Sequence, residues 1–221
     1  MKTQRHIRSY VKRNGRLTKT QKLFLSNNEN NINFFTANKL INYQILFDNN
    51  NPCVLDIGFG NGELLINIAK KFPKINFIGI EVYESGIINI LKQISCNKLN
   101  NIKITNFDAV EFLRDYIRDK SLHGISLFFP DPWPKKKHYK RRIINTNFIN
   151  LINIKIKKGG FIKIATDWSN YGNTITELFN NSNDFEMDSD IFIYKNRCLT
   201  KFEKKGIGLS HRITELSYRV K

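Results

Sequence analysis

Two groups of residues in this chain have the types and spacing to do chemistry. The first is one acid in a cage of prolines. In the run from Phe128 to Arg142, FFPDPWPKKKHYKRR, Asp131 stands among Pro130, Pro132 and Pro134 beside Trp133, and six lysines and arginines follow within eight residues. Proline fixes φ and stiffens a loop, so this carboxylate arrives pre-positioned at the mouth of a basic surface. A rigid turn whose acid caps the following segment is the plainer reading. The second group is the glycine turn LDIGFGNGE, with Gly58, Gly60 and Gly62 spaced G-x-G-x-G and Asp56 two residues ahead of the first glycine. A dinucleotide turn prefers G-x-G-x-x-G, because a pyrophosphate must reach the helix N-terminus. Here Glu63 follows the last glycine, and an acid at that point repels a pyrophosphate but suits a ligand with a cationic centre. S-adenosyl-L-methionine is such a ligand: a sulfonium, an amine and a carboxylate, without phosphate. Asp56 and the turn would hold its amino-acid end, Glu81 in GIEVY its two ribose hydroxyls, and Asp108 in NFDAVEF its adenine amino group. An acid at a strand end is often only a helix cap. Three at successive strand ends make a site for one adenosyl ligand.

Those strand ends follow from the pattern between them. PCVLDIGFG reads as a buried strand running into the turn, ELLINIAKKF as a helix closed by Pro73, INFIGIEV as a strand and YESGIINILKQIS as a helix. NIKITNFD, AVEFLRDYI, GISLFFP, a helix through IINTNFINLINIKIKK ended by Gly159-Gly160, GFIKIATD and WSNYGNTITELFNN continue the alternation, and IFIYK and ITELSYRV read as closing strands. Strands alternating with helices predict an α/β fold with a parallel sheet flanked by helices, and ligands bind at the carboxyl ends of such strands. Before the first strand, TANKLINYQILF (36–47) reads as a helix with Thr36 as its cap. Residues 1–35 read as a basic N-terminal arm and 36–221 as one domain; residues 1–22 hold eight cations and no acid. Such an arm is either solvated and mobile or ordered on RNA.

The 221 residues carry 36 Lys and Arg against 19 Asp and Glu, a formal charge of +17. That surplus concerns partners more than fold and favours a polyanion, nucleic acid first, with an anionic membrane surface as the bland rival. Nine of the eleven arginines fall in three places: Arg5, Arg8, Arg13 and Arg16; Arg141 and Arg142; and Arg197, Arg212 and Arg219. The planar guanidinium fork matches phosphate in a way that lysine cannot copy. No apolar run approaches a membrane span, and the start lacks the apolar stretch of a signal peptide. Cys53, Cys96 and Cys198 are odd in number and widely spaced without a CxxC, which predicts reduced thiols in a cytoplasmic protein and no zinc site. Four scattered histidines offer no metal constellation either.

LDIGFGNGE with GIEVY resembles the class I S-adenosylmethionine-dependent methyltransferases. FFPDPWPKKKHYKRRI, IATDW and TKFEKKG narrow the resemblance to the bacterial tRNA (guanine-N7)-methyltransferase family, and RSYVKRNGRLTKTQ is similar to that family's basic N-terminal segment. The likeness runs over nearly the whole chain. Asp56 stands where Glu is common, which keeps the carboxylate. The resemblance implies a Rossmann-like, mostly parallel sheet with an antiparallel last strand. It also implies methylation of a guanine in the tRNA variable loop, at tRNA position 46. It makes Asp131 the catalytic residue, which also belongs to the cofactor site, and it places substrate contacts at Lys135, Asp167, Thr200, Lys201, Phe202 and Glu203. From the residues themselves, the run Lys136 to Arg142, with Lys137, His138, Tyr139, Lys140, Arg141 and Arg142, is the natural clamp on the RNA backbone. From its surroundings in the sequence Glu203 reads only as a surface acid.

Guanine N7 has a free lone pair and no proton at neutral pH, so its methylation needs no base, and its product is a cation. A fixed carboxylate can grip the guanine N1–H and N2 amine and stabilise that charge. Trp133 could support the loop or stack on a base. Extruding the guanine from folded tRNA would expose N7. A nicotinamide-dependent oxidoreductase fails on the glycine spacing, on Glu63 and on charge. A non-catalytic RNA-binding protein would explain the charge but not the ordered acids. A small-molecule methyltransferase does not account for cations in three separate segments. The sequence leaves the oligomeric state open.

Overall fold

The computed structural model describes residues 8–11, 18–21, 23 and 33–221. Arg5, Arg13 and Arg16, and with them most of the expected arm, lie outside the described residues. From residue 43 onward the helices are α1 (Tyr43–Phe47), α2 (Glu63–Lys71), α3 (Glu84–Cys96), α4 (Ala109–Tyr116), α5 (Thr146–Lys155), α6 (Ser169–Asn180) and α7 (Lys201–Gly208). The strands are β1 (Cys53–Ile57), β2 (Asn76–Ile80), β3 (Ile102–Thr105), β4 (Leu122–Phe128), β5 (Ile156–Thr166), β6 (Phe185–Met187) and β7 (Thr214–Val220). They form one sheet in the order β3-β2-β1-β4-β5-β7-β6. The pairs from β3 through β5 are parallel, and β7 runs antiparallel to both β5 and β6. The expected antiparallel last strand is therefore present.

Because successive side chains of a strand face opposite sides, each central strand feeds two cores. Leu55 and Ile57 of β1 pack on the side covered by α4, α5 and α6, whereas Val54 packs on the side covered by α2 and α3. Chain order reverses between β1, which has β2 on one side, and β4, on its other side. This is the switch point at which an open α/β sheet leaves a crevice at its carboxyl edge.

Three expected elements differ. The first helix spans only Tyr43–Phe47, because Asn42, not Thr36, caps it: its Oδ1 accepts from the amides of Gln44 and Ile45. The helix expected to run to Gly159-Gly160 stops at Lys155, and β5 begins at once with Ile156 paired to Leu122. Lys155 is buried there, its ammonium donating to Ile117 O at 2.8 Å and Asp119 Oδ1 at 2.7 Å. The two glycines sit inside β5, Gly159 with φ 72° beside an irregularity in the pairing. IFIYK is not a strand: Phe192–Tyr194 form a 3-10 turn. Ile191, Ile193 and Tyr194 are instead buried in the core, with the Tyr194 ring packed on Phe128 of β4 and Phe161 of β5, and FEM of β6 occupies the edge position.

The end of the arm is stitched to the sheet. Phe35 N donates to Ile104 O at 3.0 Å, Ile104 N to Asn33 O at 2.7 Å, and Thr105 Oγ1 to Phe35 O at 2.8 Å.

Candidate active site and its basic rim

The glycine turn is held from two sides. Gly60 N donates to Glu81 Oε2 at 2.8 Å. Asn89 and Gln93 of α3 both donate to Asn61 O. Gly86 at the start of α3 packs so close that a Cβ on it would meet Gly60 O at 2.3 Å. Gly58 has φ 73° and open space where a Cβ would project, a left-handed backbone facing a cradle, which only glycine adopts without strain.

Beside this turn lies a cavity of about 550 Å³, within the usual range for a cofactor site. Asp56, Gly58, Gly60, Glu63, Glu81, Asp131, Thr200, Lys201 and Phe202 are in its wall. The donor set fits S-adenosylmethionine: carboxylates gather around the turn, and Glu63 sits in the first turn of α2, where a phosphate would need to bind. Asp56 is buried, and Ser126 Oγ donates to its Oδ1 at 2.6 Å. Burial pushes its carboxyl up to about 7; the Ser126 hydrogen bond opposes the rise and the nearby Glu81 charge adds to it. Burial also raises Glu81, against three backbone amides, those of Gly60, Val82 and Tyr83, that favour its charged form.

Asp108 is placed differently. Its Oδ1 caps α4, accepting from Val110 N and Glu111 N at 2.9 and 3.1 Å. Its neighbours Phe107 and Ala109, rather than Asp108 itself, line the cavity. The Asp108 charge does reach Tyr10, whose phenol is raised chiefly by burial and further by Asp108 and Glu111.

Asp131 lies three residues beyond the end of β4, exposed at the cavity mouth. The loop that carries it is clamped as well as proline-rich. Phe129 and Trp133 both take left-handed φ, 54° and 44°, a conformation costing a bulky residue about 1–3 kcal/mol. Phe129 N donates to Ala165 O at 2.7 Å. Arg142 Nε donates to Pro132 O at 2.9 Å and Nη2 to Asn170 Oδ1 at 2.9 Å. Arg142 therefore leaves the proposed RNA clamp. It is only 4% exposed, its guanidinium packs on the Tyr139 and Tyr171 rings at 3.8 and 4.6 Å, and its donors are spent on the loop and α6.

The rest of the run forms a 3-10 turn, Lys136–Arg141, with Lys135 at its start. Lys135, Lys136, Lys137 and Lys140 are exposed, and His138, Tyr139 and Arg141 are half-buried. Arg141 lies over the Trp133 ring at 5.0 Å, and His138 meets that ring edge-on at 5.6 Å.

Thr200, Lys201 and Phe202 reach the cavity from the N-terminus of α7, where Thr200 and Glu203 form a capping box. Glu203 is buried, not a surface acid. Asp167 stands outside the cavity wall beside α7, 3.3 Å from His211 Nδ1.

Sequence reasoning missed the arm's own contribution. Ser9 and Tyr10 are in the cavity wall; Trp133 Nε1 donates to Ser9 O at 2.9 Å and Tyr83 OH to Val11 O at 3.1 Å. Only the likeness of RSYV to a family segment pointed there. Among the described residues no group of three or more His, Cys, Asp or Glu could hold a metal ion. No described helix is long and apolar enough to cross a membrane. Cys53 is buried and Cys96 and Cys198 are exposed, all three as free thiols.

A family model described as "Putative methyltransferase" matches residues 50–216. Among solved structures, TrmN from Thermus thermophilus superposes with TM-score 0.55 at 14% identity, covering 80% of this chain and 47% of that one. A 30S ribosomal A1408 methyltransferase from an uncultured bacterium superposes with TM-score 0.53 at 15% identity, covering 83% and 96%. At these identities the likeness is one of fold. The tRNA (guanine-N(7)-)-methyltransferase of Colwellia psychrerythraea is 40% identical over 98% of this chain and 91% of its own length. That of Francisella philomiragia is 40% identical over 97% and 95%. With a glycine turn, an acid-lined cavity and a caged aspartate in one crevice, and likeness of this extent along the whole length, the chain belongs to the tRNA (guanine-N7)-methyltransferase family.

Proposed function

We propose that this protein transfers a methyl group from S-adenosylmethionine to N7 of the guanine at position 46 of tRNA, in the variable loop, acting in the cytoplasm. The observation that carries the reading is the placement of Asp131. Its carboxylate stands in the wall of the cavity that the glycine turn and Glu81 also line, and the exposed lysines of Lys136–Arg141 begin five residues further on.

S-adenosylmethionine supplies the methyl group. Asp56 and Glu81 bind and orient the donor from beneath the turn. Asp131 needs no protonation change: guanine N7 already offers a lone pair, so the carboxylate positions the base through its N–H groups and stabilises the positive charge that grows on the purine. Thr200, Lys201 and Phe202, in the same cavity wall, complete the grip on the nucleotide. Lys135, Lys137, Lys140 and Arg141 neutralise phosphates beside the extruded base.

Incubation with labelled S-adenosylmethionine and unmodified tRNA, followed by chain cleavage at 7-methylguanine, tests the reading. One labelled cleavage site at position 46 is the expected result. Label on a different nucleotide, or none on tRNA, overturns it.

A further inference from the structure

Arg197 precedes α7, and no sequence motif singled out its role. Its side chain is 4% exposed. Nη1 donates to Glu203 Oε2 at 2.6 Å and Nη2 to Glu203 Oε1 at 2.9 Å, a two-pronged pair. Nη1 also donates to Cys198 O at 3.2 Å, and Nη2 to Glu215 Oε1. Glu215 lies on β7 opposite Ala165 of β5, and Lys163 of β5 reaches its other oxygen at 2.7 Å. The guanidinium carbon lies over the Phe128 ring, 4.9 Å from its centroid.

These contacts join the two halves of the crevice. Phe128 ends β4 and begins the turn to Asp131. Glu203 caps α7 by accepting from Thr200 N at 3.2 Å, so it sets where Thr200, Lys201 and Phe202 enter the cavity. Both Glu203 oxygens are taken by Arg197, one of them also by Thr200 N.

We propose that Arg197 is a positioning residue for methyl transfer, holding the N-terminus of α7 at a set distance from the strand end that carries Asp131. Glu203 then acts on the substrate through Thr200 and Arg197 rather than by touching it. The inference rests on the reading that the guanine lies between Asp131 and the Thr200–Phe202 segment. Lysine cannot replace this arginine, because an ammonium has three donors and no planar fork, while Arg197 directs four N–H···O bonds and lies over the Phe128 ring. Misplacement by about 1 Å costs on the order of 10²-fold in rate.

The test compares wild type with Arg197→Lys, the charge-balanced double variant Arg197→Gln/Glu203→Gln, and Arg197→Gly. Measurements are single-turnover methylation of tRNA at saturating cofactor and tRNA, cofactor Kd by calorimetry, and a thermal melt. The expected result is a rate loss of about 10²-fold for Arg197→Lys and for the double variant, with cofactor Kd within about twofold of wild type. Millimolar guanidinium, but not methylammonium, is expected to restore part of the rate of Arg197→Gly. A rate per folded molecule within twofold of wild type in Arg197→Lys overturns the proposal, even if the melting temperature falls. Equal loss of cofactor binding and rate in the double variant overturns it too, since the cavity as a whole would then have collapsed. Wild type that binds cofactor but leaves tRNA unmethylated removes the reading of the site, and this inference with it.

Discussion

Replacing Glu81 tests the cofactor site where its geometry is most constrained. An ionised carboxylate has about four acceptor positions. Three are engaged: Gly60 N on Oε2 at 2.8 Å, and Val82 N and Tyr83 N on Oε1 at 2.7 and 3.1 Å. One position, on Oε2, is left for a ribose hydroxyl, so the pair of bonds expected from sequence reduces to one good one. A hydrogen bond to a charged group contributes about 1.5–3 kcal/mol, which is roughly a 10- to 150-fold change in Kd. Glu81→Ala should therefore weaken S-adenosylmethionine binding within that range from the ribose contact alone, with tRNA affinity unchanged. Glu81→Gln should do no better despite its shape. Whichever way its amide turns, an NH2 donor faces the Gly60 amide or the pair from Val82 and Tyr83, and the turn loses its tether to β2. Calorimetric titration with S-adenosylmethionine, beside filter binding of tRNA, reads both quantities. An Ala variant with wild-type cofactor affinity would refute the assignment. A Gln variant as tight as wild type would refute the lone-pair argument behind it.

Other consequences follow from the same geometry. Asp131→Asn keeps the size but removes the charge, and single-turnover methylation at saturating tRNA should fall by about 10²–10³-fold while cofactor Kd holds; a near-wild-type rate removes the catalytic role. Neutralising Lys137, Lys140 and Arg141 should flatten the log–log salt dependence of tRNA binding by about 0.7–0.9 for each phosphate left without its cation, and an unchanged slope would make the run a solvated face. Arg142→Ala should instead lower stability by at least about 1.5–3 kcal/mol in denaturant melts, the contribution of one hydrogen bond to a charged group, because it is buried against Tyr139 and Tyr171. Asp56, raised to about 7, is largely protonated at pH 6 in the free protein and ionised at pH 8. A cationic ligand should drive out that proton, so cofactor affinity should rise from pH 6 to pH 8 relative to Asp56→Asn; parallel profiles would remove Asp56 from the site. The same raised value means that the unfolded chain gives up this proton first. Without ligand, the Asp56 contribution to stability is thus full below the ordinary carboxylate range and is lost as pH rises through about 7.

The parts of the fold that were legible are those with a local cause. Alternating apolar strands and amphipathic helices announced the parallel sheet, and Gly58, Gly60 and Gly62 announced the turn. The caged Asp131 stood out through proline chemistry that any neighbourhood preserves. What stayed hidden depends on partners distant in the chain. Nothing in KKKHYKRR separates Arg142 from Arg141 until Tyr171 and Asn170 of α6 arrive beside it. Glu203 reads as exposed until Arg197 neutralises it. Asp108 has the residue type and position for an adenine contact, yet the same carboxylate also suits the orphan amides at the start of α4, and local capping takes one of its oxygens. IFIYK has strand composition, but the burial of Ile191, Ile193 and Tyr194, the last against Phe128 and Phe161, outweighs pairing.

The bond from Trp133 to Ser9 gives the molecule an optical readout. The chain has two tryptophans. Trp133 donates its indole N–H to the arm and lies beneath the Arg141 cation, whereas Trp168 sits at the start of α6. Indole emission is sensitive to the polarity and charge around the ring. With Trp168→Phe as background, the remaining indole emission comes from one side chain that touches the arm, the Asp131 loop and the basic rim together. Displacing Ser9, or drawing Arg141 away onto a phosphate, changes that emission without any label. Stopped-flow mixing with cofactor and with tRNA in turn would then time each rearrangement at the cavity mouth against the methyl-transfer step.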